Sequence, residues 1–140
     1  GEASVPILYD KKSKRIVVNE SAEIIRMLNS QATALGSTLS DAERPDLYPA
    51  DDLSSSLVRE IDRLNEEIYV HINNGAYKAG FSSSQDVYAE AFNNYFAMLD
   101  DLEQLLARDD RPFLTGDRFT EADLRLFPTL YRHDRSTICE

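Results

Sequence analysis

Six aliphatic residues, Leu53, Leu57, Ile61, Leu64, Ile68 and Ile72, are spaced 4, 4, 3, 4 and 4 apart. That spacing returns every side chain to one face of a helix with 3.6 residues per turn. It predicts one long helix with a continuous apolar stripe, which needs an equally long apolar partner to cover it. Asp52 stands where a cap belongs. The stretch "NNGAYKAGF" (73–81) is expected to end or kink the helix, because Asn74 and Gly75 tolerate left-handed backbone angles.

Two further helices can supply the partner. A start near Ser83 or Ser84 carries the capping-box-like order Ser83-Ser84-Gln85-Asp86. From there Val87, Ala91, Tyr95, Met98, Leu102 and Leu105 line one face, with Tyr88, Phe92 and Leu99 beside them. "ARDDRPFLTGDR" then reads as a loop. In "FTEADLRLFP", Thr120 is the expected N-cap, Asp123 at N3 returns the bond, and Phe119 is placed to staple against Leu124. Pro128 falls inside this third helix and is expected to kink it.

The N-terminal residues obey a different rhythm. "VPILY" (5–9) and Arg15–Val18 read as strands joined by the polar turn "DKKSK", hence an antiparallel hairpin. Periodicity turns helical at Ser21, with Ile24, Met27 and Leu28 on one face. A two-stranded hairpin with one helix is marginal alone, so it either packs on the helices or belongs to a larger sheet. Residues 29–51, rich in Ser, Asp and Pro, lack any period and mark the domain boundary. The fold class is therefore α+β, mostly α: β-β-α, a linker, then helices.

Composition excludes several functions. The net charge of −10 argues against a nucleic-acid partner, which needs clustered Lys and Arg. The basic run "KKSKR" (11–15) reads as a solvated hairpin tip. No apolar run suits a membrane span, and the first ten residues lack the marks of a signal peptide. Cys139 is the single cysteine, so no disulfide can form within the chain, which fits a reducing compartment. Neither His71 nor His133 has a Cys or His at ligand spacing; no metal site is expected, and both read as surface or packing residues.

One short stretch carries chemistry. In "RIVVNESAEIIRML" (15–28), Asn19, Glu20 and Ser21 stand where strand becomes helix. A helix N-terminus attracts a carboxylate. A hydroxyl there adds a donor, and a neighbouring Glu suits an ammonium on the same carbon. Such a site fits the α-amino-acid end of a peptide. The plain alternative is that Asn19 or Ser21 caps the helix and Glu20 merely favours its positive end. Val5-Pro6 has two readings as well. A cis bond would present the Val5 backbone to an extended peptide; an ordinary trans proline at a strand start is the other.

These residues resemble a family. "VPILYDKKSKRIVVNESAEIIRMLN" is similar to the second half of the thioredoxin-like domain of glutathione transferases, and most of all to the Xi-class, omega-related glutathionyl-hydroquinone reductases. "INNGAYKAGFSSSQDVYAEA" (72–91) and "LTGDRFTEADLRLFPTLYRHD" (114–134) resemble that family's helical domain, in the family's order. The resemblance implies residues 1–30 as a partial thioredoxin-like, glutathione-binding domain, 31–51 as a linker, and 52–140 as an incomplete helical domain. It implies glutathione as co-substrate, no metal, a quinone-type conjugate as the other ligand, a homodimer and a cytoplasmic location. Val5, before a cis Pro6, would pair with the cysteinyl backbone of glutathione; Glu20 and Ser21 would hold its γ-glutamyl end. Tyr77 would bond a quinone oxygen in the aromatic-substrate pocket, while Thr120 and Asp123 would be structural.

The family reaction reduces glutathionyl-hydroquinones. An enzyme cysteine attacks the glutathione sulfur and releases the hydroquinone, and a second glutathione clears the mixed disulfide. The cysteine's region would precede Gly1, and Cys139 is not its counterpart. The chain therefore reads as shortened at both ends, with no catalytic residue of its own and no expected activity alone. The competing reading is a non-catalytic binding or dimerisation module of the same fold.

Overall fold

A hairpin opens the chain. Strand β1 (Leu8–Asp10) pairs antiparallel with β2 (Arg15–Val18), Tyr9 opposite Ile16 and Asp10 opposite Arg15. The turn is built on Asp10, whose carboxylate accepts from the Lys12 N–H at 2.8 Å and from the Ser13 hydroxyl at 2.5 Å. These bonds hold its pKa below the usual carboxylate value. Lys14 completes the turn at a φ of 55°. Helix α1 (Ser21–Ser30) follows, so the strand–strand–helix order matches the sequence reading. This computed structural model describes residues 5–40, 42–50 and 55–136, the last four of these in backbone only.

The chain divides into two units, residues 1–48 and 49–140, each described by itself. In the first, the segment after α1 is fastened to that helix by side chains. Asn29 accepts from the Leu47 N–H at 3.0 Å and donates to Asp46 at 2.8 Å. Arg44 reaches the Thr33 hydroxyl at 3.0 Å, and the Arg26 guanidinium lies 3.7 Å over the ring of Tyr48. No residue of α1 is fully buried, and Leu28 of its expected apolar face is half exposed.

The second unit holds the core. Helix α2 (Ser56–Glu67) runs into a π-helical turn (Ile68–Asn73) and on into α3 (Asn74–Gly80). The expected stripe is real: Ile61, Leu64, Ile68 and Ile72 are almost wholly buried. Leu64, Ile68 and Ile72 pack with Tyr95, Met98 and Leu102 of α4 (Gln85–Ala107) and with Ala122 and Leu126 of α5 (Glu121–Ser136).

Several expectations need correction. The cap of α2 is Ser55, which accepts from the Val58 N–H at 3.2 Å; Asp52 and Leu53 lie outside the described residues. The helix does end within 73–81, at Gly80, but not by a left-handed turn at Asn74 or Gly75, since the positive-φ glycines are Gly36 and Gly116. The irregularity lies one turn earlier, in the π-turn, and leaves Gly75 buried against Tyr95. Helix α4 begins after Ser84, which offers no side-chain cap; Ser82 instead bonds the Ser84 N–H and carbonyl. Val87 is more than a third exposed rather than core.

At the start of α5, one Asp123 oxygen accepts from the Thr120 N–H at 2.9 Å and from its hydroxyl at 3.2 Å; the other accepts from the Leu114 N–H at 2.9 Å. A single carboxylate thus fastens both the helix start and the loop before it. Phe119 meets Phe113 edge to face, ring centres 5.5 Å apart. Pro128 sits within α5. Among the described residues no helix is long and apolar enough to cross a membrane.

Candidate functional site

Two regions hold the residues singled out from sequence, one in each unit. In the first, Glu20 is the residue before α1, with extended backbone and no side-chain cap bond, and Ser21 begins the helix. Both are exposed. Asn19 does not cap; its amide donates to the Pro6 carbonyl at 2.8 Å. That bond brings the start of the helix beside the start of the hairpin, thirteen residues earlier. The Val5–Pro6 bond there is cis, and Val5 is 89 % exposed. The exposed residues Val5, before Pro6, and Glu20 and Ser21, after Asn19, are thus the chain neighbours of this one bond.

In the second unit, α3, α4 and α5 line a half-open cavity of about 460 Å³. Its size is typical of a small-molecule site. The residues of α3 and the turn before it that line it are mostly small, Gly75, Ala76, Ala79 and Gly80, which leaves the space open. Tyr77 rises among them. From α4 come Tyr88, Phe92, Tyr95 and Phe96, and from α5 Thr129 and Arg132. Tyr88, Phe92 and Phe96 stand four residues apart, so they form one row along the helix. Ring centres in that row are 5.9 and 4.6 Å apart. Tyr77 stacks on Phe81 with planes only 4° apart. Burial pushes the Tyr95 phenol above its usual pKa of 10.0.

The cavity wall is held by two ties. The Asn73 amide donates to the Thr129 hydroxyl at 2.6 Å and to the Arg125 carbonyl at 3.3 Å, joining the π-turn to α5. Lys78 and Glu90 form an exposed ion pair at 3.5 Å between α3 and α4.

Of the expected site residues, Pro6 is bonded by Asn19, the residue before Glu20 and Ser21, and Tyr77 lies in the cavity wall. Thr120 and Asp123 bond each other at the start of α5. Sequence reasoning assigned Tyr88 and Phe92 to the edge of a core face and missed Phe96 and Arg132. The available signal was the four-residue spacing of Tyr88, Phe92 and Phe96 along one row of the helix. Among the described residues no group of His, Cys, Asp and Glu is arranged to hold a metal ion. Cys139 and the side chain of His133 lie outside the described residues.

Comparison with known proteins agrees across both units. Residues 85–137 match the family described as "Glutathione S-transferase, C-terminal domain". The chain is 48 % identical over 134 residues to the glutathionyl-hydroquinone reductase PcpF of Sphingobium chlorophenolicum, covering 96 % of this chain and 39 % of that protein. It superposes on the glutathione-bound structure of YqjG, a glutathione transferase homologue from Escherichia coli K-12. The TM-score is 0.82 at 46 % identity, covering 99 % of this chain and 41 % of that one. Glutathione transferase Xi 1 from Trametes versicolor gives a TM-score of 0.81 at 47 % identity, over 96 % and 43 % of the two chains. The chain thus spans about two fifths of the length of these relatives.

Proposed function

We infer, from the similarity of the chain to glutathionyl-hydroquinone reductases and Xi-class glutathione transferases, that the first unit binds glutathione and that the cavity of the second unit binds an aromatic ligand of the quinone type. The first unit is read as part of a thioredoxin-like, glutathione-binding domain. Ser21 and the N–H groups of α1 hold the γ-glutamyl carboxylate, Glu20 holds its ammonium, and the Val5 backbone pairs with the cysteinyl residue. The cavity of the second unit takes the aromatic ring, with the Tyr77 hydroxyl on a quinone oxygen.

The observation that supports this reading is the Asn19–Pro6 bond, which links the start of α1 to the start of the hairpin while Glu20 makes no side-chain cap bond. The aromatic cavity supplies the second requirement. The reaction that the resemblance implies is attack of a thiolate on the glutathione sulfur with release of the hydroquinone. The 140 residues contain one thiol, Cys139, which does not match the family's reactive cysteine, and the chain alone is read as inactive. A reducing, cytoplasmic setting suits this chemistry.

The test is calorimetric titration with glutathione. The wild-type chain is expected to release heat, and a Glu20→Ala, Ser21→Ala double variant to release none. Equal heats from both would overturn the assignment. Turnover of a glutathionyl-hydroquinone by the purified chain would refute its inactivity.

The second reading, a non-catalytic binding or dimerisation module, rests on Phe127 and Tyr131. They stack on α5 with ring centres 5.8 Å apart and stand 64 % and 60 % exposed. Exposed aromatic pairs of this kind favour association. Sedimentation of the wild type and of a Phe127→Ser, Tyr131→Ser variant separates a dimer held by this face from a monomer.

A further inference from the structure

We propose that Phe81 is a positioning residue for the aromatic pocket: its ring fixes the ring of Tyr77, so that the Tyr77 hydroxyl is already aimed when an oxygen of the ligand arrives. The inference rests on the reading of Tyr77 as the donor to a quinone oxygen. It adds a second aromatic residue, outside the cavity, on which that role depends.

Tyr77 stands on a bare stretch of helix. The residues of α3 that line the cavity with it are Gly75, Ala76, Ala79 and Gly80, which have no bulk to hold a ring. Tyr77 is 55 % exposed, and among the described residues its hydroxyl has no hydrogen-bond partner. Without a restraint, a phenol in this setting turns among several rotamers, and a ligand has to stop it. Phe81 supplies the restraint. It follows Tyr77 by four residues, about one helical turn, so the two side chains share a face. Their ring centres lie 6.1 Å apart with the planes 4° from parallel. That separation falls in the range of offset stacking.

The backbone fixes Phe81 in turn. Its N–H donates to the Tyr77 carbonyl at 2.9 Å, which locks the register of the two rings at the last turn of α3. Just beyond, the Ser82 N–H donates to the Ala79 carbonyl at 3.3 Å. The Ser82 hydroxyl donates to the Ser84 carbonyl at 2.9 Å and accepts from the Ser84 N–H at 3.1 Å. Phe81 therefore sits between a closed helix end and a closed turn. Its ring does not line the cavity and is 84 % exposed, so it contributes little to the core. The ring it meets is that of Tyr77. A donor held in place before binding gives up less freedom when the ligand arrives, and the gain appears only for ligands that offer it an acceptor.

The experiment uses the 140-residue chain and two ligands of nearly one shape: 1-tetralone, an aryl ketone that offers an oxygen, and tetralin, which offers none. Amide shifts of Tyr77, Tyr88 and Phe92 are followed by NMR titration, and the ketone preference is the ratio of the two affinities. Tyr77→Phe is expected to lower that preference about three- to tenfold. Phe81→Leu, which keeps apolar bulk and removes the ring, should lower it about two- to fourfold while leaving tetralin affinity unchanged. In the Tyr77→Phe background it should lower it no further. Phe81→Tyr should restore the preference. The Tyr77 ring protons should shift in Phe81→Leu and stay near their wild-type positions in Phe81→Tyr. A preference lost in Tyr77→Phe but kept in Phe81→Leu, or lost additively in the double variant, overturns the role of Phe81 and leaves Tyr77 as the donor. A preference untouched by Tyr77→Phe, or cavity amides that neither ligand moves, overturns the reading of the pocket and the inference with it.

Discussion

Glu121 is fully buried, an unusual place for a carboxylate. It accepts from the Asn65 amide at 3.1 Å and pairs with Arg125, one turn on, at 3.4 Å. Breaking such a pair from one side leaves a buried charge without its counterion. Arg125→Met is therefore expected to lower unfolding free energy by about 2–4 kcal/mol, and the Glu121→Met, Arg125→Met double variant by less than the sum of the single changes. Denaturant titration of the four proteins checks it. Tyr95 supplies a pH test. Its folded pKa is raised by burial, so its contribution is complete below the unfolded value of 10.0 and is lost as pH rises from there towards the raised value. Tyr95→Phe should flatten the alkaline decline in melting temperature relative to wild type. An unchanged alkaline slope would show that another group causes it.

At the scale of elements, the π-turn decides where the site lies. A helix that took the stripe from Leu57 to Ile72 without interruption would carry residues 74–80 onward in the same register. One extra residue in the turn rotates everything after it by about 100°. That rotation accompanies a buried Gly75 against Tyr95 and a Tyr77 that faces the cavity. Deleting Val70, an exposed residue of the turn, is expected to preserve helix content while abolishing the shift of Tyr77 on ligand titration. Retained binding would detach the π-turn from the site. The Asn73 tie works beside Pro128 of α5. Proline has no N–H to donate, which weakens α5 near Arg125 and Thr129, and the Asn73 amide bonds both. Asn73→Ala should cost about 1–3 kcal/mol in chemical denaturation.

For the molecule as a whole, stability is unevenly placed. The second unit buries long aliphatic side chains on three helices. The first has a two-stranded sheet with Ile16 and Val17 at least half exposed and a helix with no fully buried residue. Hydrogen exchange follows buried packing more closely than secondary structure. Amides of residues 58–72 and 91–105 should be the slowest to exchange, and those of 8–30 should exchange orders of magnitude faster. Comparable protection in the two stretches would contradict this division.

Much of this was legible in the sequence because it is periodic or local. The spacing of Ile61, Leu64, Ile68 and Ile72 fixes which face is buried whatever lies opposite. A strand–turn–strand pattern specifies its own hairpin, and Thr120 and Asp123 stand three residues apart. Sequence by itself therefore determined the elements, the main buried stripe and the Glu20–Ser21 cluster. Tertiary structure alone decided the rest. The π-turn has no composition of its own; it arises where the stripe must meet two helices at once. The cavity is made by side chains from three helices, and the bond from Asn19 to Pro6 instead of to α1 joins partners thirteen residues apart. Periodicity reports one helix at a time, whereas a site depends on the relative rotation of several, which only packing sets.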